Sequence, residues 1–383
     1  MRALAVRLAA LVAVAGGLEA VLLGAMACGR APTSGGEALT RIAAPPAGKL
    51  YHGVYPGGTS GEEDDITAEG VRSYEQAVGK RAAWVCFSHN WYQGTEFPAE
   101  TVGWIRELGA APYIRLMLRG PEEERGEQFT VESVLRGELD GELRRWAEGA
   151  RRYGGPLIVE YGTECNGNWS PWNGEHHGNG RTGGFGDPKK PDGPERFAEA
   201  YRRVVRVMRE AGAGNITWVF HIDAYDDPEV GWNRFENYYP GDEWVDWIGV
   251  SVYGPQEPTE TEAASFRETM DECYARLEQM AKERSSKGKP GVVAEFGCTA
   301  GSAAARPTAW AGAALDDLLR ERWPRVIGFS WWNEDWENDD DPAHNTVMRV
   351  EEVPGLAEVF RSRLSAAGGK IEERPVVGAG PGG

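Results

Sequence analysis

"PLIVEYGTE", residues 156–164, decides the fold. Leu157, Ile158 and Val159 form a short apolar run, and Gly162, Thr163 and Glu164 stand where it ends. A run of this length, rich in β-branched residues, predicts a strand buried on both faces. Downstream, "GPERFAEAYRRVVRVMREAGAG" (193–214) puts Phe197, Tyr201, Val204, Val205 and Met208 on one stripe, with Pro194 in the first turn and Gly212 at the stop. That pattern predicts an amphipathic helix. "NITWVFHID" (215–223) then repeats the strand pattern. Similar runs are "YHGVYPGG" (51–58), "AAWVCFSHNW" (82–91), "APYIRLML" (111–118), "VDWIGVSVYG" (245–254), "GVVAEFG" (291–297) and "VIGFSWWNE" (326–334), with helical stretches such as 266–283 and 306–323 between them. About eight strands alternating with helices predict an α/β fold, a single-domain (β/α)8 TIM barrel. A doubly wound open sheet is the competing architecture, but no Gly-rich phosphate fingerprint follows the first run.

The ends of the chain differ from this middle. Residues 1–27 carry Arg2 and Arg7, an apolar segment, and Ala25-Met26-Ala27 before Cys28, the layout of a cleavable export signal. Cys28 in that position resembles the lipidated cysteine of bacterial lipoproteins, although Ala25 stands where that pattern has Leu and Glu19 interrupts the apolar run. The expectation is an extracellular protein held at the bacterial membrane by lipid on Cys28, with plain secretion and a retained anchor as alternatives. Residues 28–48 read as a flexible tether, 49–365 as the barrel and 366–383 as a disordered tail. Apart from Cys28 the chain has Cys86, Cys165, Cys273 and Cys298, an even set whose pairing cannot be read from spacing.

A formal charge of -18 excludes nucleic acid and anionic lipid headgroups as expected partners, since both reward Lys and Arg. The 15 Trp point elsewhere: beyond those a core would absorb, flat amphipathic rings suit the apolar faces of sugars. In a barrel of this kind the site lies at the C-terminal ends of the strands. Two glutamates fall there, Glu164 after the fourth run and Glu295 in the seventh. Two carboxyls about 5 to 5.5 Å apart across a sugar bond permit retaining glycoside hydrolysis, one as acid/base and one as nucleophile.

Several segments, "ECNGNW" (164–169), "YRRVVRVMREAGAGNITWVF" (201–220), "YYPGDEWVDWIGVSVYG" (238–254), "KPGVVAEFG" (289–297) and "RERWPRVIGFSWWN" (320–333), resemble glycoside hydrolase family 26 in the same order. The family is best known for endo-β-1,4-mannanases. The resemblance implies that Glu164 is the acid/base, Glu295 the nucleophile, and Tyr253 the tyrosine that hydrogen-bonds the nucleophile and holds it ionised. It implies that Trp169 stacks on sugar, that Asn166 and Gly167 form the loop beside it, and that Trp331 and Trp332 floor the cleavage point. His89, Asn90, Trp91, Asn166, Trp172, His221 and Asp223 are further candidates for sugar contact. The implied substrate is a β-linked polysaccharide, mannan first, with β-glucan, xylan or an exopolysaccharide as alternatives. A surface carbohydrate-binding protein without catalysis is the reading of another kind. No cofactor or metal is expected, and a monomer is.

Two positions depart from the family pattern of Arg-Pro-x-His-Glu at the fourth strand: Glu160 replaces its arginine and Thr163 its histidine. Strand alternation predicts Glu160, Gly162 and Glu164 on one face, where the two carboxylates would share a proton unless Arg115 neutralised Glu160. An Arg115–Glu160 pair is the hypothesis. The loop 173–195, with His176 and His177, is expected to overhang the cleft, and the acidic run 333–342 to be solvated or to contact substrate.

Overall fold

Eight parallel strands run in sequence order around a closed barrel: β2 (Leu50–Tyr55), β3 (Trp84–Asn90), β4 (Ala111–Met117), β5 (Leu157–Tyr161), β6 (Ile216–Asp223), β7 (Trp247–Tyr253), β8 (Gly291–Gly297) and β9 (Val326–Trp332). Pairing of β2 with β9, from Tyr51 opposite Gly328 to Tyr55 opposite Trp332, closes it. The computed structural model describes residues 40–121, 128–284 and 288–379. The helices are α1 (Ala68–Val78), α2 (Ala99–Glu107), α3 (Val131–Arg136), α4 (Asp140–Tyr153), α5 (Asp192–Glu210), α6 (Phe235–Tyr238), α7 (Phe266–Glu283), α8 (Pro307–Leu319) and α9 (Leu356–Ala366). This is the (β/α)8 barrel that the alternating runs predict. Among the described residues no helix is long and apolar enough to cross a membrane.

Because side chains alternate along a strand, each strand gives one set to the lumen and the other to the helices. Trp84 fills the lower lumen against Tyr51, Tyr113 and Trp247. Gly53 and Gly328 make room for it, since a Cβ at either would collide with the indole. Its Nε1 donates to Ser330 Oγ at 2.6 Å. On the outward side Tyr161 stacks on Phe197 of α5, and Trp331 lies against Phe360 of α9. Cys86, Cys165, Cys273 and Cys298 are all buried free thiols.

The ends correct two expectations. Within the expected tether, β1 (Thr40–Ile42) pairs antiparallel with β13 (Val377–Ala379), which lies in the expected disordered tail. Short β10 (Asp335–Trp336) and β11 (Thr346–Val347) pair after β9, and β12 (Ile371–Glu372) adds to β2. These strands form because they bury apolar side chains, Ile42 at 4% and Ile371 at 5% exposure, that a Gly- and Pro-rich composition conceals. Arg41 anchors β1 at the N-terminal end of the barrel through the Gly214 carbonyl and Asp246. The expected signal sequence, the expected lipidation site Cys28 and residues 380–383 lie outside the described residues.

Candidate active site

The C-terminal mouth gathers most of the polar lumen residues. Between β7 and β8 the register shifts, so that Val250 faces Val293 while Ser251 faces Glu295. This bulge leaves Ala294 against Gly249 and still delivers Glu295 into the lumen, where it is 4% exposed. Tyr253 Oη donates to Glu295 Oε2 at 2.8 Å. Oε1 has no hydrogen-bond partner, and Arg115 Nε stands 3.6 Å from it. Burial pushes the Glu295 carboxyl up to about 7; Arg115 pulls it down, Glu164 raises it, and His221 lowers it. The Tyr253 contact expected from the resemblance is therefore present, but burial outweighs the positive charges around the carboxyl.

Glu164 reaches the same mouth by a different route. β5 ends at Tyr161, and both Gly162 (φ 70°) and Glu164 (φ 46°) are left-handed. A left-handed glutamate is strained and persists only where its surroundings fix it. Here the Cys165 amide donates to the His221 carbonyl and the Gly167 amide to that of Glu164. Trp169 Nε1 donates to Glu164 Oε2 at 2.8 Å, and the indole is 55% exposed. The negative charge of Glu164 is felt by Glu295, Tyr253 and Asp223. Asp223 is raised well above the usual carboxylate range by burial and then by Glu164.

The left-handed turns break the alternation that would have stacked Glu160 beneath Glu164. Glu160, 1% exposed, instead accepts from Tyr113 Oη at 2.6 Å, contacts Thr163 Oγ1, and meets His221 Nδ1 at 2.9 Å. The hypothesised Arg115–Glu160 pair is present at 3.5 Å, weaker than the His221 contact. Burial raises the Glu160 carboxyl, but His221 and Arg115 together bring it below its ordinary value. In turn Glu160 raises His221 to about 9 against the lowering effect of burial. Thr163 fills the remaining gap by accepting from Arg115 Nε at 3.2 Å. Glu160 thus belongs to a buried ion-pair network with His221 and Arg115.

Of the other candidates, Trp332 faces the lumen, stacked on Tyr55 at 4.0 Å and under the Arg115 guanidinium at 5.0 Å. Trp331 does not: it is fully buried, and its Nε1 donates to the Met348 carbonyl. His89 also points outward, toward Trp146 of α4, and burial lowers its pKa to about 4. Asn166 is fully buried and committed to the backbone, donating to the Asp223 and Tyr225 carbonyls and accepting from the Asp223 amide. Trp172 is buried with its Nε1 on the Thr163 carbonyl. His221 spends both ring nitrogens on Glu160 and Ser251. Trp91 is buried against Phe129, while Asn90 binds the loop after β2. The loop 173–195 is tied to the helices at His177, which meets Glu132 of α3 at 2.7 Å.

Sequence reasoning missed Tyr55, Glu63 and Glu334. Glu63, left-handed at φ 61°, accepts from Ser88 Oγ and pairs with Arg115. Glu334 accepts from Tyr55 Oη at 3.1 Å and is pushed up to about 7 by burial and by Glu63. The acidic run "GEEDD" (61–65) after the first strand is the signal that could have found Glu63. Ligand atoms of Glu160, His221 and Glu295 lie within 4.8 Å of one another, but His221 has both ring nitrogens on Glu160 and Ser251, so the cluster is an ion-pair network and not a free donor set for a metal. Arg115, at 3.5 and 3.6 Å from the two carboxylates, already supplies positive charge there.

Residues 131–313 match the model of a family described as glycosyl hydrolase family 26. Endoglucanase H of Acetivibrio thermocellus is 24% identical over 298 residues, covering 77% of this chain and 29% of that protein. A β-1,3-xylanase of an Alcaligenes species is 23% identical over 128 residues, 33% of this chain and 23% of the relative. The chain thus spans under a third of the length of these curated relatives. Among solved structures, a family 26 β-mannanase from Bacteroides ovatus superposes with a TM-score of 0.54 at 15% identity, over 85% of this chain and 90% of that one. A modular endo-β-1,4-mannanase from Cellulomonas fimi gives 0.57 at 17% identity, over 88% and 76%. At such identities the likeness is one of fold.

Proposed function

We propose, for a chain that belongs to glycosyl hydrolase family 26 through its residues 131–313, that the barrel mouth is the active site of a retaining β-glycanase. The observation that carries this reading is Glu295: a buried carboxylate with Oε2 held by Tyr253 and Oε1 without a hydrogen bond, in the same mouth as Glu164. In the proposed reaction Glu295 Oε1 attacks the anomeric carbon while Glu164 gives its proton to the departing glycosidic oxygen. Glu164 then takes a proton from water, which displaces Glu295 and restores both groups. Trp332 floors the sugar at the cleavage point and Trp169 stacks on the side of the acid.

The substrate we favour is β-mannan or a related neutral β-linked polysaccharide. Glu62, Glu63, Asp64 and Glu334 border the mouth, and a uronate chain would meet like charge there. The names of the curated relatives keep β-glucan and β-xylan as second readings. The test is incubation with mannan, xylan and mixed-linkage glucan, sizing the released oligosaccharides, beside Glu295→Ala and Glu164→Ala. We expect each substitution to cost several orders of magnitude in rate, as losses of a nucleophile or acid do. Hydrolysis by Glu295→Ala at the wild-type rate would overturn the assignment. Hydrolysis of nothing by the wild type would favour a carbohydrate-binding protein instead. Export and lipid attachment at Cys28 are part of the same proposal. Metabolic labelling with a fatty acid, lost in Cys28→Ser, checks them.

A further inference from the structure

Glu63 is the one carboxylate in the barrel mouth contributed by the loop between β2 and α1 that touches the Arg115 guanidinium. Three observations show that its place is built. Its backbone is left-handed, its carbonyl accepts from the Ser88 amide at 2.8 Å, and its side chain accepts from Ser88 Oγ at 2.6 Å. The neighbouring Glu62 fixes the loop again, its carbonyl accepting from Asn90 Nδ2 and its carboxylate pairing with Arg119 at 3.1 Å. Strain of this kind in a non-glycine residue persists only where the fold holds it.

Arg115 stands among three carboxylates, those of Glu63, Glu160 and Glu295, and makes its close contact with the first of them. Its Nη1 goes to Glu63, its Nε to Thr163 Oγ1, and the same Nε stays at 3.5 Å from Glu160 and 3.6 Å from Glu295 Oε1. Drawn toward Glu63 and Thr163, the guanidinium stands off at 3.6 Å from Glu295 Oε1, which remains buried without a hydrogen bond. An oxygen that must attack carbon needs that free lone pair, because a short bidentate Arg contact would tie it up.

We propose that Glu63 is a positioning residue that holds Arg115 back from Glu295, keeping the attacking oxygen free. This rests on the nucleophile assignment made above. Besides Arg115, the positive group near Glu295 is His221 from β6; the acidic ones are Glu164 from the loop after β5, Glu63 itself, and Glu160 and Asp223 at the ends of β5 and β6. Tyr253 from β7, Tyr113 from β4 and Cys86 from β3 are neutral neighbours. Removing the charge of Glu63 acts on Glu295 in one direction twice. A negative neighbour disappears, and Arg115 is released toward it.

The experiment compares wild type, Glu63→Gln and Glu63→Asp in the full chain. The pH dependence of kcat/KM should show its acidic limb about one pH unit lower in Glu63→Gln, the scale of a charge at this range. The rate on the plateau should fall, because Arg115 then occupies Oε1. Glu63→Asp, which keeps the charge, should return the limb toward its wild-type position. An acidic limb that stays in place, or moves upward, in Glu63→Gln overturns the proposal even if the variant is less stable, since instability alone lowers the amplitude without moving the limb. A second readout needs no turnover: infrared titration of 13C-labelled glutamate carboxyls, with the Glu295 band assigned by its loss in Glu295→Gln. If the band titrates lower in Glu63→Gln the positioning holds, whether or not the wild type hydrolyses any polysaccharide; an unmoved band refutes it.

Discussion

The hydroxyl of Tyr253 donates to one oxygen of Glu295 at 2.8 Å while the other oxygen of the same carboxylate has no hydrogen bond. Such asymmetry favours the charged form on one side and leaves the other available. Tyr253→Phe removes the one hydrogen bond the carboxylate receives among the described residues, so its pKa should rise and the acidic limb of the pH–rate profile should move up. A bond to a charged group is worth about 1.5–3 kcal/mol, so kcat/KM at neutral pH should drop roughly tenfold to a hundredfold. A pH–rate series on both proteins checks direction and size.

Glu295 and Glu334 are both pushed up to about 7 from a usual value of 4.5. Between those limits the folded protein keeps protons that the unfolded chain has released. Folding therefore takes up protons, and stability falls as the pH rises through this window and levels off above it. Thermal melts from pH 4.5 to pH 8 should show a shallower decline in Glu295→Gln and Glu334→Gln than in the wild type. Parallel curves would refute the linkage.

The adjacent Trp331 and Trp332 should separate stability from turnover. Trp331→Phe strands the Met348 carbonyl and leaves a gap beside Phe296 and Phe360, so it should cost about 2 kcal/mol in chemical denaturation with little change in KM or kcat. Trp332→Phe keeps an aromatic ring against Tyr55 but shrinks the surface under Arg115 and the sugar. Its activity should fall roughly tenfold, the worth of one stacking contact, with a nearly unchanged melt.

Gly167 lies under the Trp169 indole, and a Cβ there would collide with the ring. Gly167→Ala should therefore swing Trp169 away and release Glu164 Oε2 from its one indole donor. Displacement by about 1 Å can cost a hundredfold in rate, so kcat should suffer far more than stability. Steady-state kinetics beside a melt decides between the two.

Much of this was legible in the residues. Parallel strands buried on both faces read as continuous apolar runs, which is why the barrel could be inferred from 156–164 outward. Glu164 and Glu295 stood out by their places near the ends of the fourth and seventh runs, Tyr253 and Trp169 through the family resemblance. Trp331 and His89 misled for one reason: position along a strand was weighed without parity, and a step of one residue exchanges lumen for helix layer. Asn166 misled because a polar side chain in an active-site loop can be consumed by the loop itself. The acidic run 61–65 marks the loop of Glu63 but does not single out that residue, since its role depends on a left-handed turn and on Arg115, far away in sequence. The terminal strands were hidden by their shortness.

The closure of the barrel through β2 and β9 has a cost during synthesis. Tyr51 emerges early, yet its partner Gly328 and the capping Ile371 arrive only near the end of the chain. Until then the edge of "LYHGVY" stays open, an aromatic strand with unpaired amides and carbonyls that invites pairing with another nascent chain. The refolding yield of this protein should accordingly fall with concentration, and a chaperone that shields the first strand should matter more than one that acts on the last.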